Sequence, residues 1–200
     1  MLRDQNADVL ILLEVDDGSI RNRFRSQVKK FAKRLKHTHF YSALKYHPKS
    51  IWKYLIYFKK QHDAVLSKIK GEYKAHYIKS GMKKLVQEFT VNGISIFTVH
   101  MGVLSKTIRQ MQFGEIANIL KKCPRPFILC GDFNIHKGLD ELKEFINQTG
   151  LKRIEMSPTF PSHKPKRYLD LFFISPGIEI KDFGIVKSEV SDHLPVWITI

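Results

Sequence analysis

An α/β fold is predicted: a four-layer sandwich of two mostly antiparallel β-sheets flanked by helices. Three observations predict it. Short apolar runs of strand length recur along the chain and outnumber the helical patterns. Two of them, 85–91 and 94–99, flank Asn92-Gly93, the strongest short hairpin signal available. Two longer stretches, 20–35 and 105–122, carry apolar residues at helical spacing, which suits helices laid outside the sheets.

Val9-Leu-Ile-Leu-Leu13 reads as a strand buried on both faces. Glu14 closes it, either where the strand meets water or as a ligand on a rigid element. Asp17 or Ser19 is the expected N-cap of a helix whose inner face is Ile20, Phe24, Val28, Phe31, Ala32 and Leu35. Arginines and lysines fill its other face. Residues 37–61 mix Tyr41, Tyr46, Trp52, Tyr54, Tyr57 and Phe58 with Lys45, Lys49, Lys53, Lys59 and Lys60. Rings interleaved with lysines suit base stacking beside phosphate contacts, and they also suit strands with one buried face. Residues 64–67 form a short strand, and 68–83 a polar, lysine-bearing connection.

The second hairpin strand ends at His100. Ser105 then caps a helix running to about Lys122, with Ile108, Met111, Ile116, Ile119 and Leu120 as its apolar face and Pro124 and Pro126 closing it. Residues 127–130 are a buried strand. Gly131 lets the chain turn and another backbone approach, and Asp132 and Asn134 point the same way if strand geometry persists. Residues 138–148 are a further helix stopped by Gly150, and 157–167 a loop. Asp170 lies inside the apolar run 169–174, where a carboxylate is costly unless paired. Residues 178–186 and 196–200 are the remaining strands.

The 200-residue length makes a single domain, 1–200, the default. Lysine and arginine number 34 against 19 acids, and the resulting charge of +15 suits a polyanionic partner, nucleic acid or an anionic surface, and equally a lysine-rich solvated surface. The spacing of Cys123 and Cys130 fits no zinc pattern, and a disulfide framework is not expected. No run is long enough for a signal core or a membrane span, so a cytoplasmic protein is expected. A Gly-rich phosphate loop and a Gly-x-Ser-x-Gly elbow are both lacking. Glu14, His100, Asp132, Asn134, Asp170, Asp192 and His193 all sit at or beside apolar strand runs, and their number suggests a shared cluster where several strands end.

These segments resemble the endonuclease/exonuclease/phosphatase superfamily. The matching stretches are Ala7-Asp-Val-Leu-Ile-Leu-Leu-Glu-Val15, Ala64-Val-Leu-Ser-Lys68, Thr98-Val-His-Met101 and Arg109-x-x-Gln112, then Gly131-Asp-Phe-Asn134, Leu169-Asp-Leu-Phe-Phe-Ile174 and Ser191-Asp-His-Leu-Pro195. The resemblance implies Mg²⁺, with Mn²⁺ as the alternative, held by Glu14 with Asp192 beside it. It implies that Asp132 and Asn134 orient water and phosphate, and that His193 contacts phosphate or acts as general base. Asp170 would hold the His193 ring, and His100 would stabilise the leaving oxygen.

Members of that superfamily begin with a strand bearing a metal-site asparagine, which does not precede Glu14 here. An N-terminally shortened domain is therefore expected, with the strand supplied by another segment or a second subunit. The loop His163-Lys-Pro-Lys-Arg167 offers His163, Lys164, Lys166 and Arg167 as phosphate contacts. The leading expectation is a nuclease acting on nucleic acid. The alternatives are a phosphomonoesterase or lipid phosphodiesterase, with a phosphorylated small molecule or lipid head group as partner, and a non-catalytic anion-binding module.

Overall fold

Six strands form the larger sheet in the order β4 (Glu72–Tyr77), β5 (Leu85–Val91), β6 (Ile94–His100), β7 (Phe127–Asp132), β9 (Asp170–Ile174) and β8 (Lys152–Arg153). In this computed structural model residues 4–18, 24–46, 61–124 and 126–200 are described. A three-stranded sheet holds β1 (Val9–Asp16), β3 (Gln61–Ser67) and β2 (His39–Leu44) in the order β1-β3-β2, and β10 (Asp182–Ile185) pairs with β11 (Val196–Thr199). All pairings are antiparallel except β6–β7, which α2 (Lys106–Leu120) connects as a crossover. The β5–β6 turn is Asn92-Gly93, both at positive φ (51° and 77°), as a tight hairpin requires.

Apolar contacts define four layers. Leu10 and Leu12 of β1 pack with Ala64 and Leu66 of β3 against Val28, Ala32 and Leu35 of α1 (Gln27–Leu35). Ile11, on the opposite face of β1, joins Ile128, Cys130, Phe172 and Ile174 of the large sheet, and β10 and β11 add Ile185, Val196 and Ile198. The far face of the large sheet carries the biggest core. There Phe97, Val99, Leu129, Leu171 and Phe173 pack on Phe113, Ile116 and Leu120 of α2 and on Phe145 of α3 (Lys143–Thr149).

The predicted architecture stands, and several local expectations are corrected. β1 has both faces covered, yet its residues are only half-buried, because β3 is its single neighbour among the described residues. α1 starts at Ser26, whose Oγ accepts from Lys29 N (3.1 Å), and not at Asp17. Phe24 sits at φ 60°, outside any helix, and Asp17 bridges Ser26 as extended backbone. Ser19 and Ile20 lie outside the described residues, as do Lys49, Trp52, Lys53, Tyr54, Tyr57, Phe58, Lys59 and Lys60.

Strand β4 falls inside the stretch read as a connection. Its rings are what hold it: Tyr73 stacks on Tyr41 (centroids 5.2 Å apart) and donates to Gln87 (2.9 Å). The inner face of α2 is Arg109, Gln112, Phe113, Ile116, Ala117 and Leu120, while Ile108 and Met111 are 38% and 56% exposed. Residues 138–148 split into a 3-10 turn (Leu139–Leu142) and α3, which Gly150 ends at φ 65°. Asp170 is the first residue of β9, so its carboxylate faces the sheet end and not the strand interior.

Candidate active site

Strand register builds the first row of the site. Pairing of β6 with β7 sets His100 beside Asp132, and pairing of β7 with β9 sets Asp132 beside Asp170. Three adjacent strands thus end in one line of polar groups. Gly131 makes the first pairing possible. Its φ is 133°, and a Cβ there would lie 2.0 Å from the Val99 carbonyl oxygen, so no larger residue fits.

The strand does not continue to Asn134, which adopts φ 49°. A turn joins the two residues instead. Asp132 Oδ1 accepts from Asn134 N (3.0 Å) and Oδ2 from Asn134 Nδ2 (2.8 Å), a side chain closing on its own backbone two residues on. Asn134 Nδ2 also donates to Met101 O (3.0 Å). His100 Nε2 is 3.3 Å from Asp132 Oδ2. Burial by itself would raise the Asp132 pKa, but the His100 contact and the charges of His100, His193 and Lys83 bring it below the usual value.

His193 Nδ1 is 2.7 Å from Asp170 Oδ2, which also accepts from Thr159 Oγ1 (2.5 Å). Burial would lower the His193 pKa, but the hydrogen bond and charge of Asp170 outweigh it, and the net shift is upward. The Phe160 ring lies 4.9 Å from the imidazole. Ligating atoms of Asp132, Asp170 and His193 lie within 4.8 Å of one another.

Glu14 comes from the other sheet. A register shift between Leu12 and Val15 marks a bulge in β1, and Glu14 sits in it at φ 56° with its N–H on Asp63 Oδ1 (3.0 Å). Bulges re-aim side chains next to functional sites. Here the re-aimed carboxylate, 44% exposed, meets the buried Lys45 ammonium in an ion pair. Lys83 Nζ lies 3.6 Å and His100 Nε2 3.7 Å from the same Oε1, and Lys83 Nζ contacts His100 Nε2. Burial alone would raise the Glu14 pKa, yet Lys45 in particular, with His100 and Lys83, lowers it to about 2.

Asp192 is exposed. Its carboxylate accepts from Ser191 Oγ (3.2 Å) and no hydrogen bond or ion pair links it to Glu14 among the described residues. Its charge acts on His193 instead. In the 157–167 loop, His163, Lys164 and Lys166 are exposed, while Arg167 Nη1 reaches His136 Nδ1 (2.9 Å). His136 in turn contacts Asn134 Oδ1 (3.2 Å), so Arg167 joins the site through one ring.

The profile of the endonuclease/exonuclease/phosphatase family matches residues 1–193. The chain belongs to that family. Endonuclease/exonuclease/phosphatase proteins are phosphoester hydrolases that generally depend on a divalent metal. No curated protein matches this sequence. Similar solved structures include an endonuclease/exonuclease/phosphatase family protein from Leptotrichia buccalis C-1013-b (18% identity, TM-score 0.73), covering 100% of this chain and 89% of that one. A mannosyl-6-phosphatase from Bacteroides thetaiotaomicron VPI-5482 (16%, TM-score 0.73) covers 100% and 88%. A beta toxin from Staphylococcus aureus (18%, TM-score 0.72) covers 98% and 87%. These likenesses establish the shared fold. Among the described residues, no helix is long and apolar enough to cross a membrane.

For an endonuclease/exonuclease/phosphatase member, Glu14 is where a divalent ion is expected. Its carboxylate is the right hard donor, but Lys45 and Lys83 already face the same oxygen. A divalent ion bound by Glu14 would therefore have to displace both ammoniums from that oxygen. Sequence reasoning did not single out Lys83, Asp63, His136 or Thr159 as site residues, and it named Lys45 only among the lysines of 37–61 that suit phosphate contacts. Lys45 and Lys83 look like members of a lysine-rich surface until β2 and the segment before β5 are brought to Glu14.

Proposed function

We propose that this chain hydrolyses phosphate esters by in-line attack of water, and that its substrate is the phosphodiester backbone of nucleic acid. The observation carrying the reading is the row His100, Asp132 and Asp170 at three neighbouring strand ends, with His193 hydrogen-bonded to the third. Asn134 holds the Asp132 carboxylate through its side-chain amide and its backbone N–H, and Asp132 orients the water. His193 is the stronger base of the two groups beside the water, because its pKa is shifted up and that of Asp132 down. It takes the water proton as the new P–O bond forms, and Asp170 holds its ring and stabilises the imidazolium. The ester P–O bond breaks on the opposite side, where His100 stands beside the leaving oxygen. The charge of +15 and the exposed His163, Lys164 and Lys166 favour a polyanion over a small ester.

A small or lipid phosphoester is the second reading. An open groove of about 400 Å³ lined by Met156, Pro158, Pro165, Phe183, Ile185 and Leu194 favours it, because it offers an apolar surface one residue from His193. The assay compares plasmid DNA, single-stranded DNA, RNA, bis-p-nitrophenyl phosphate and p-nitrophenyl phosphate, each with Mg²⁺, Mn²⁺ or EDTA. The expected result is nucleic-acid cleavage, lost in Asp132→Ala and His193→Ala. Cleavage of the small esters alone supports the second reading. Salt-sensitive DNA binding without cleavage of any substrate overturns the enzymatic one.

A further inference from the structure

Two lysines stand where the catalytic pattern has no place for them. Glu14, Asp63 and Asp132 gather three carboxylates at the sheet ends. A phosphate ester approaching such a cluster is repelled unless cations offset it. The chain brings its own. Lys45, 3% exposed, pairs with Glu14 and donates to Gln61 Oε1 (3.2 Å). Lys83 contacts His100 Nε2 and lies 3.6 Å from Glu14 Oε1, beyond hydrogen-bond range. An ammonium has three N–H donors, so Lys83 retains donors for an incoming oxygen.

Both lysines are held by the fold. Lys84 N donates to Lys45 O (3.2 Å), tying the two segments together. Gln112 of α2 donates to Lys83 O (2.8 Å) and to Ser80 O (3.2 Å), and its Oε1 accepts from Gly102 N (3.0 Å). One buried amide therefore sets the segment carrying Lys83 against the segment that follows His100. Pre-set donors of this kind bind an anion without the cost of ordering flexible chains.

We propose that Lys45 and Lys83 supply the positive charge of the phosphate seat. Lys45 is a positioning residue that neutralises and holds Glu14, and Lys83 is the ammonium presented to a phosphoryl oxygen. The inference rests on the phosphoester reading above, and its test does not require turnover.

Inorganic phosphate is titrated into the full chain in EDTA, followed by calorimetry and ³¹P NMR, with circular dichroism melts as the folding control. The wild type is expected to bind phosphate without metal. Lys83→Met weakens that binding by about tenfold or more, Lys83→Arg retains it, and Glu14→Gln tightens it by removing a competing carboxylate. Lys83 carries the test because Lys45 is more deeply buried and its loss endangers folding. Phosphate binding that appears only when Mg²⁺ or Mn²⁺ is added overturns the proposal, as does affinity unchanged in folded Lys83→Met. A chain that binds phosphate this way but cleaves nothing contradicts the function proposed above and leaves the cationic seat standing.

Discussion

Glu141→Ala is the sharpest structural test of how the site is held. Arg109 and Glu141 are each 2% exposed. Arg109 Nε donates to Glu141 Oε2 (2.9 Å), and Nη2 to Oε1 (2.9 Å) and Oε2 (2.8 Å). The remaining nitrogen, Nη1, donates to the carbonyls of Gly102 (3.2 Å) and Val103 (2.8 Å), just beyond His100. Removing the carboxylate leaves a buried guanidinium without its counter-charge and Lys137 N without its acceptor (2.9 Å). Breaking one side of a buried pair costs about 3–5 kcal/mol. At about 2–4 °C per kcal/mol for a chain of this size, the expected fall in Tm is about 6–20 °C. The assay is a reversible thermal melt followed by circular dichroism. The double variant Arg109→Met/Glu141→Leu should recover much of the loss, since apolar replacement of a buried pair is often near neutral. Its catalytic rate should stay low, because Gly102 and Val103 lose the donor that fixes the segment after His100. A Tm shift below about 3 °C for Glu141→Ala, or a double variant no better than the single, refutes the reasoning.

Two further outcomes are expected. Asp170→Asn should lower the His193 pKa, read from imidazole ¹⁵N shifts, since Asp170 is what raises it against burial. Because the folded pKa is raised, the pair stabilises the fold fully below about pH 6.5 and the contribution is lost as pH rises through the folded value. A pH-independent stability difference between Asp170→Asn and wild type argues against this. Gly131→Ala should cost about 3 kcal/mol or more in a denaturant melt, because φ 133° and the Val99 carbonyl 2.0 Å from the new Cβ leave nothing to relax but the β6–β7 ladder. A near-wild-type midpoint counts against the close approach described here.

The legible parts of the chain were those whose physics is local. The Asn92-Gly93 hairpin, the Ser105 cap (its Oγ accepts from Ile108 N, 3.3 Å) and the Gly150 stop follow from backbone preferences over a few residues. Strand ends bearing Asp132 and His100 were legible because a polar group abutting an apolar run marks where a sheet meets its surface. The start of α1 was not, because Asp17 has the same capping chemistry as Ser26 and only its extended pairing and the backbone at Phe24 exclude it. The inner face of α2 misled for a different reason. Hydrophobic periodicity places Arg109 and Gln112 outward, and only partners 29–32 residues away, such as Glu141 and Lys83 O, make their burial affordable.

By itself the sequence determined the fold class and the superfamily resemblance, since these depend on pattern and composition. Tertiary structure alone decided which charges meet. The bulge that turns Glu14 and the pairing that carries β2 against β3 bring Lys45 to its carboxylate, and the clamp from Gln112 brings Lys83 to His100. Ion pairs act over a few ångströms in space and carry no signature in sequence separation, so a lysine on a strand end reads as surface until the fold places it.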